Sequence, residues 1–141
     1  MLKPLSLKNY HLKFLANWLN TELHGKEARA RVKFLKAIAP RIGEIEEKRI
    51  EKLRELSEKD ENNAPKIKEG NAFDLNEENL KKFNEWMAEL NKEDFTIEPE
   101  GKDTVKVIGA YVTGELGAKK SFDLTNGAVY DEVCDAFEKC K

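Results

Sequence analysis

Apolar residues recur at intervals of three and four along most of the chain, a spacing that predicts a mainly α-helical fold. The first such stripe predicts a helix over residues 8–23 and consists of Leu12, Leu15, Leu19 and Leu23. Gly25 follows this stripe and favours a stop, because glycine is preferred just past a helix end.

The dominant predicted element is a long amphipathic helix over residues 26–59. Its apolar seam consists of Leu35, Ile38, Ile42, Ile45, Leu53 and Leu56. Pro40 lies within this seam, and an interior proline removes one helical hydrogen bond at a cost of roughly 3 kcal/mol. Because the seam keeps its phase across Pro40, we expect one kinked helix rather than two helices over 26–38 and 41–59.

Shorter elements are predicted after the long helix. The segment 65–75 follows a polar turn and predicts a short extended excursion or loose hairpin. Asn76 is expected to cap a third helix, whose apolar stripe consists of Leu80, Phe83, Met87 and Leu90. Residues 94–98 predict a strand.

The C-terminal part is less regular. We expect a turn over residues 99–102. Residues 103–116 fit both a strand and a helix, and a helix is favoured. The last helix is predicted over residues 126–139, with its apolar side formed by Val129, Val133, Ala136 and Phe137. The fold class is therefore mainly α, a helical hairpin or bundle built on one long kinked helix with a small β excursion.

Length and charge narrow the class of protein. A chain of 141 residues predicts a single helical domain over 1–141. The formal net charge of −2 gives no overall attraction to nucleic acid or to a membrane surface. The N-terminal residues lack a signal-peptide core, and no apolar run is long enough to span a bilayer. We expect a cytoplasmic protein that acts inside a host cell, without a membrane partner.

The residues that most often perform chemistry are few and poorly spaced. Cys134 and Cys140 are six residues apart on a predicted helix and face different sides, so no disulfide is expected. We expect Cys134 to be a small core residue and Cys140 an exposed thiol. His11 and His24 match no metal-ligand spacing, and surface or capping roles are expected. The sequence thus predicts no catalytic residue, no metal site and no cofactor.

The clearest surface signal is a cluster of positive charge in the first half of the long helix. The basic residues there are Lys26, Arg29, Arg31, Lys33, Lys36 and Arg41, against one acid, Glu27. Lys26, Arg29, Lys33 and Lys36 are spaced three, four and three apart, which places them on one helical face. This face can contact an acidic protein or phosphates. It can also be a solvated face balanced by acids elsewhere, such as those of the C-terminal helix.

Two tryptophans are candidate contacts with a partner. Trp18 and Trp86 flank the apolar stripes of separate helices. Most aromatic residues at such positions belong to the core, but tryptophan is enriched at binding hot spots. Trp18 and Trp86 therefore join the cluster Lys26, Arg29, Arg31, Lys33 and Lys36 as predicted partner-binding residues.

One resemblance adds context. The run from His24 to Phe34, the Glu58-Lys-Asp-Glu61 turn and the acidic Tyr130–Phe137 helix resemble small uncharacterised phage and prophage proteins of low-GC Gram-positive bacteria. The chain departs from that pattern at Pro40. The resemblance implies a phage-derived, cytosolic, non-enzymatic accessory protein.

Three hypotheses follow for function. The favoured one is a protein-interaction module that inhibits or redirects a host protein, defence systems included. The second is a virion morphogenesis or tail-region assembly factor that forms a homo-oligomer through the long helix. The third is a nucleic-acid binder that uses the basic helix face.

Overall fold

The computed structural model describes residues 3–98 and 102–141 and has a mainly helical architecture with one small antiparallel sheet. Its elements are β1 (Leu5–Lys8), α1 (Asn9–Trp18), α2 (Gly25–Leu56), a 3-10 turn (Glu69–Asn71), α3 (Glu77–Lys92), β2 (Asp94–Ile97), α4 (Lys102–Tyr111), a π-helical turn (Val112–Leu116), α5 (Gly117–Lys119) and α6 (Leu124–Lys139). The predicted fold class is thereby confirmed. The turn predicted over 99–102 lies outside the described residues, except for Lys102, which begins α4.

The chain forms two compact units. The first consists of the residues up to Ile42 together with those from Asp94 onwards, and the second of Gly43–Glu93. Helix α2 contributes its first 18 residues (25–42) to the first unit and residues 43–56 to the second. The prediction of one domain over residues 1–141 stays a prediction.

Helix α2 is a single element that passes through Pro40, so the choice of one helix over two is confirmed. The predicted kink stays a prediction. The helix ends at Leu56 rather than residue 59, and Ser57 closes it: its backbone N–H donates to Leu53 and its hydroxyl to the Arg54 carbonyl at 3.0 Å. In the first unit its buried residues are Ala30, Phe34 and Ile38, whereas Leu35, assigned to the seam, is only half-buried.

The two-stranded sheet belongs to the first unit. Strand β1 was not predicted, although Leu5 and Leu7 alternate with polar residues and are both 1% exposed. It pairs with β2 in a register that places Leu5 opposite Ile97 and Lys8 opposite Asp94. Lys8 Nζ and Asp94 Oδ1 are 2.6 Å apart, so the pair joins the two strands at that end. The strand predicted over residues 94–98 is confirmed as β2.

Helix α1 packs its leucines into the core of the first unit. It begins at Asn9 and ends at Trp18, five residues before the predicted end. Fully buried side chains from several elements meet in this core: Leu5, Leu7, Leu12, Leu15, Leu19, Phe34, Ile38, Ile108, Val112 and Val133. The burial of Leu12 and Leu15 follows from the periodicity that predicted the helix.

The ambiguous segment 103–116 is helical, as favoured, but its second part widens into the π-helical turn. The Tyr130 hydroxyl of α6 donates to the Val112 carbonyl at 2.6 Å and so holds one end of that turn. Helix α6 begins at Leu124, two residues earlier than predicted, because the Asp123 side chain accepts the backbone N–H of Asn126. Val133 and Phe137 are its buried residues.

The second unit contains the end of α2, the predicted excursion and α3. Antiparallel bridges pair Lys59 with Pro65 and Ile67 with Phe73, which matches the loose hairpin. The Asn76 side chain accepts the Asn79 N–H at 2.8 Å, so the predicted cap of α3 is confirmed. No helix in the described ranges combines the length and the apolar character needed to cross a membrane.

Candidate functional site

The candidate site is the outward side of α2 within the first unit. The basic face consists of Lys26, Arg29, Lys33 and Lys36, and all four side chains are exposed. They lie on one side of the helix because their spacing follows the helical repeat, and they extend over about 15 Å of its length. The core-facing residues Ala30, Phe34 and Ile38 lie on another side of the same turns.

None of the four basic-face residues forms an ion pair in the parts of the chain that the structure describes. The ion pairs of those parts involve other residues, and none joins the basic face to an acid of α6. One alternative for this surface is that acidic residues of the C-terminal helix pair with it. No such ion pair forms among residues 3–98 and 102–141. The four charges face solvent as a group of one sign.

Arg31 is half-buried and makes hydrogen bonds within the chain, and its role as a partner-binding residue stays a prediction. Its guanidinium donates to the Leu19 carbonyl at 2.9 Å and also to the Thr21 carbonyl. Both carbonyls lie just beyond the end of α1, where the last carbonyls of a helix lack intrahelical donors. Arg31 therefore holds the connection between α1 and α2.

Trp18 is a core residue, which corrects its prediction as a partner-binding residue. It is 4% exposed, and its ring packs edge-on against Phe122 and Tyr130 at centroid distances of 5.6 and 5.8 Å. A side chain buried in this way cannot anchor a partner.

Trp86 belongs to the second unit and is half-buried. Its ring lies 6.3 Å from that of Phe83, and Lys52 Nζ is 5.6 Å from its centroid. Part of the ring therefore contacts neighbours on α2 and α3. Its role as a partner contact stays a prediction.

An apolar strip runs beside the basic face and was missed in the sequence. It consists of Ala28, Val32, Leu35 and Ala39, spaced four, three and four apart. Val32 is 52% exposed and Ala39 is exposed, whereas Ala28 and Leu35 are half-buried. The four-three-four spacing was visible in the sequence, but Leu35 was assigned to the buried seam.

An open groove of about 830 Å³ adjoins the strip at Leu35. It lies between the end of α1 and the start of α2, and the half-buried side chains of Leu23 and Leu35 contribute to its apolar lining. Glu22, His24 and Arg31 contribute polar atoms. The outward side of α2 thus presents positive charge, an apolar strip and a groove next to one another.

A cluster of titratable groups lies elsewhere in the first unit and stabilises the start of α1. The Lys8 backbone N–H donates to His11 Nδ1 at 3.0 Å, so the proton of the neutral ring is assigned to Nε2. Nε2 then donates to Glu132 Oε2 at 2.9 Å, and the Tyr10 hydroxyl donates to the same oxygen. The expected capping role of His11 is confirmed, but the ring is 4% exposed rather than on the surface.

The cluster shifts the titration of two of its members. Hydrogen bonds from His11 and Tyr10 lower the pKa of Glu132 below its usual range. Burial, followed by the hydrogen bond to Glu132, raises the pKa of Tyr10 to about 12. The hydrogen bonds that contribute to both shifts join α1 to α6. His11, Tyr10 and Glu132 therefore have a structural role, which is to join α1 to α6.

Cys140 is more deeply buried than Cys134, contrary to the prediction. Cys140 is 4% exposed, and its thiol donates to the Phe137 carbonyl at 3.0 Å, whereas Cys134 is half-buried. Burial raises the pKa of both thiols, so little thiolate is present near neutral pH. The expectation of an exposed Cys140 was wrong because Cys140, the residue that caps the end of α6, lies against the N-terminal segment, where its carbonyl accepts the Lys3 backbone N–H at 2.9 Å.

Neither a metal site nor a comparison with known proteins adds a further candidate site. Across residues 3–98 and 102–141, no group of three or more His, Cys, Asp or Glu side chains is arranged to hold a metal ion. No protein-family model, curated protein or solved structure matches the chain.

Proposed function

We propose that the chain is a phage-derived, non-enzymatic interaction module that uses the basic face of α2 to bind an acidic surface on a host protein. Binding of this kind inhibits or redirects the host protein. The observation that carries the proposal is the exposure of four like charges on one helix face, none of which forms an ion pair among the described residues. The phage context rests on the resemblance of the N-terminal half.

Repulsion between the charges of the basic face destabilises α2, which supports a role of this face in binding. Lys26–Arg29, Arg29–Lys33 and Lys33–Lys36 are like-charge neighbours at helical spacing, and each such pair destabilises a helix by about 0.2–0.5 kcal/mol. A purely solvated face needs no such clustering. An acidic partner removes the repulsion on binding, because its carboxylates are attracted to all four cations.

A protein partner is favoured over nucleic acid by two features. The exposed side chain of Val32 adjoins Arg29 and Lys36, and an apolar group in this position suits a protein surface better than a phosphate backbone. The net charge of −2 also gives none of the overall positive charge that is typical of nucleic-acid-binding proteins.

The test is a quantitative pull-down from the lysate of a low-GC Gram-positive bacterium, the host that the resemblance implies. The wild type is compared with a variant in which Lys26, Arg29, Lys33 and Lys36 are all replaced by glutamate. The matched control replaces four exposed lysines elsewhere, Lys81, Lys92, Lys106 and Lys120, with glutamate, so the change in net charge is the same.

We expect a protein that the wild type and the control capture and that the basic-face variant loses, before and after nuclease treatment. Equal capture by all three proteins contradicts the proposal. Capture that disappears on nuclease treatment supports the nucleic-acid hypothesis instead. Assembly of the free protein into large oligomers supports the morphogenesis hypothesis.

A further inference from the structure

The apolar strip has the spacing of a helix-docking surface. Positions 28, 32, 35 and 39 follow the four-three repeat with which one α-helix packs along another in a coiled coil. The strip covers about 17 Å of α2, or three helical turns. Within the described structure it stays at least partly open, since Val32 and Ala39 are exposed and Leu35 borders the open groove.

The charges beside the strip indicate which charge a partner helix should have. Arg29 and Lys36 each directly follow a strip residue, Ala28 and Leu35, which places them along one edge of the strip. Flanking residues of this kind form ion pairs with a docked helix and determine which helix is accepted. Both are exposed and basic, so a complementary helix has acidic residues along the matching edge.

Charge also argues against a second copy of this chain as the occupant. In a twofold-symmetric contact the same patch meets itself, so Arg29 and Lys36 of one copy lie near the same residues of the other. Like charges placed together across an interface are unfavourable. An acidic partner has the opposite effect on the same residues.

We infer that the apolar strip, with Arg29 and Lys36 along its edge, is a docking site for one acidic amphipathic α-helix of a partner protein. This inference rests on the proposed function and names the part of the partner that is bound. Apolar residues of the partner helix pack on Val32 and Leu35, its carboxylates pair with Arg29 and Lys36, and the groove beside Leu35 accepts its larger side chains.

The probe for the test is a synthetic three-heptad peptide with leucine at its core positions and glutamate at its flanking positions. A scrambled peptide of equal composition has the same charge but no apolar stripe. Binding of each peptide to the full chain is measured by fluorescence anisotropy. The variants are Val32→Ala, the pair Arg29→Glu with Lys36→Glu, and the control pair Lys26→Glu with Lys33→Glu, which lies farther from the strip.

We expect the patterned peptide to bind saturably and the scrambled peptide not to. Val32→Ala should weaken binding by about tenfold, since two buried carbon atoms contribute roughly 1.5 kcal/mol. The Arg29/Lys36 reversal should weaken it by more than tenfold, and the Lys26/Lys33 reversal by a smaller factor.

Other results overturn the inference in distinguishable ways. Equal binding of both peptides, or no effect of Val32→Ala, means that charge alone drives binding, and the proposed function then stands without a docked helix. Equal effects of the two charge reversals lead to the same conclusion. Self-association of the free chain through α2 shows that a second copy occupies the strip. Loss of both peptide binding and host capture removes the proposed function as well.

Discussion

Arg31 and Arg29 are two residues apart on the same helix and have different roles. Arg31→Ala removes the donors to the Leu19 and Thr21 carbonyls, and we expect the free energy of unfolding to fall by about 1–3 kcal/mol. Arg29→Ala removes only an exposed side chain and should change it by less than about 0.5 kcal/mol. Urea denaturation of both variants provides the measurement, and equal losses would show that Arg31 has no special part in joining α1 to α2.

Glu132 predicts a specific dependence of stability on pH. Because its folded-state pKa is lowered, its contribution is present above the unfolded-state pKa of a glutamate, about 4.3, and is lost as pH falls through the folded-state value. Between pH 6 and pH 3, the wild type should therefore lose more stability than Glu132→Gln. Asp131→Asn is the control, since Asp131 makes no hydrogen bond to His11 or Tyr10. A parallel loss in wild type and Glu132→Gln contradicts this role.

Single residues were predicted well where helical spacing alone decides exposure. The basic face was placed correctly because charged residues three and four apart share one side of any helix. The burial of His11 and Trp18 was not predicted, since it depends on contacts with α6, which lies more than a hundred residues away in the sequence. The burial of Cys140 was not predicted either, because its neighbour Lys3 lies at the other end of the chain. Periodicity within one helix contains no information about such distant contacts.

At the scale of elements, two glycines in helices test how closely the helices pack. A Cβ at Gly109 would lie 2.9 Å from Cδ1 of the buried Phe137, so Gly109→Ala requires the Phe137 ring or the helices to shift and should destabilise the fold by about 1–3 kcal/mol. Gly43 has no atom within 4 Å of the same position, and Gly43→Ala should stabilise α2 by about 0.5–1 kcal/mol. Thermal unfolding of the two variants should give shifts of opposite sign, and a stabilising Gly109→Ala would refute the packing of α4 on α6.

Helices were predicted better than their ends. Strong periodicity identified α1, α2, α3 and α6, but α1 ends at Trp18 because Arg31 holds the chain that follows it. Strand β1 was missed since four residues provide only two alternations of apolar and polar side chains. Its partner, β2, is separated from it by most of the chain, so only the folded structure reveals the pairing.

At the scale of the whole molecule, the distribution of charge governs association. Because the basic face opposes a symmetric contact through α2, we expect the free chain to stay monomeric at low ionic strength. Sedimentation velocity over a range of protein concentrations measures this, and a dimer that persists in Val32→Glu, which places a charge in the apolar strip, would indicate an interface elsewhere. A dimer abolished by that variant would place self-association on α2.

The basic face and the apolar strip beside it could be predicted only in part from the sequence. The sequence identified its positive charge, but the apolar strip became distinct from the core only when Phe34 and Ile38 were found to take the buried positions of α2. The net charge of −2 gives no indication that positive charge is concentrated on the basic face.

The most direct test of this surface is photo-crosslinking from Val32. A photoreactive amino acid replaces Val32, which is 52% exposed, or Leu80 of α3, which is 47% exposed and serves as the matched control. Each protein is irradiated in the lysate of a low-GC Gram-positive bacterium. We predict a discrete adduct with a host protein from position 32, through an acidic segment of that protein, and its loss with Arg29→Glu/Lys36→Glu. The same adduct from both positions, or none from position 32, would contradict the assignment of the contact surface to the first half of α2.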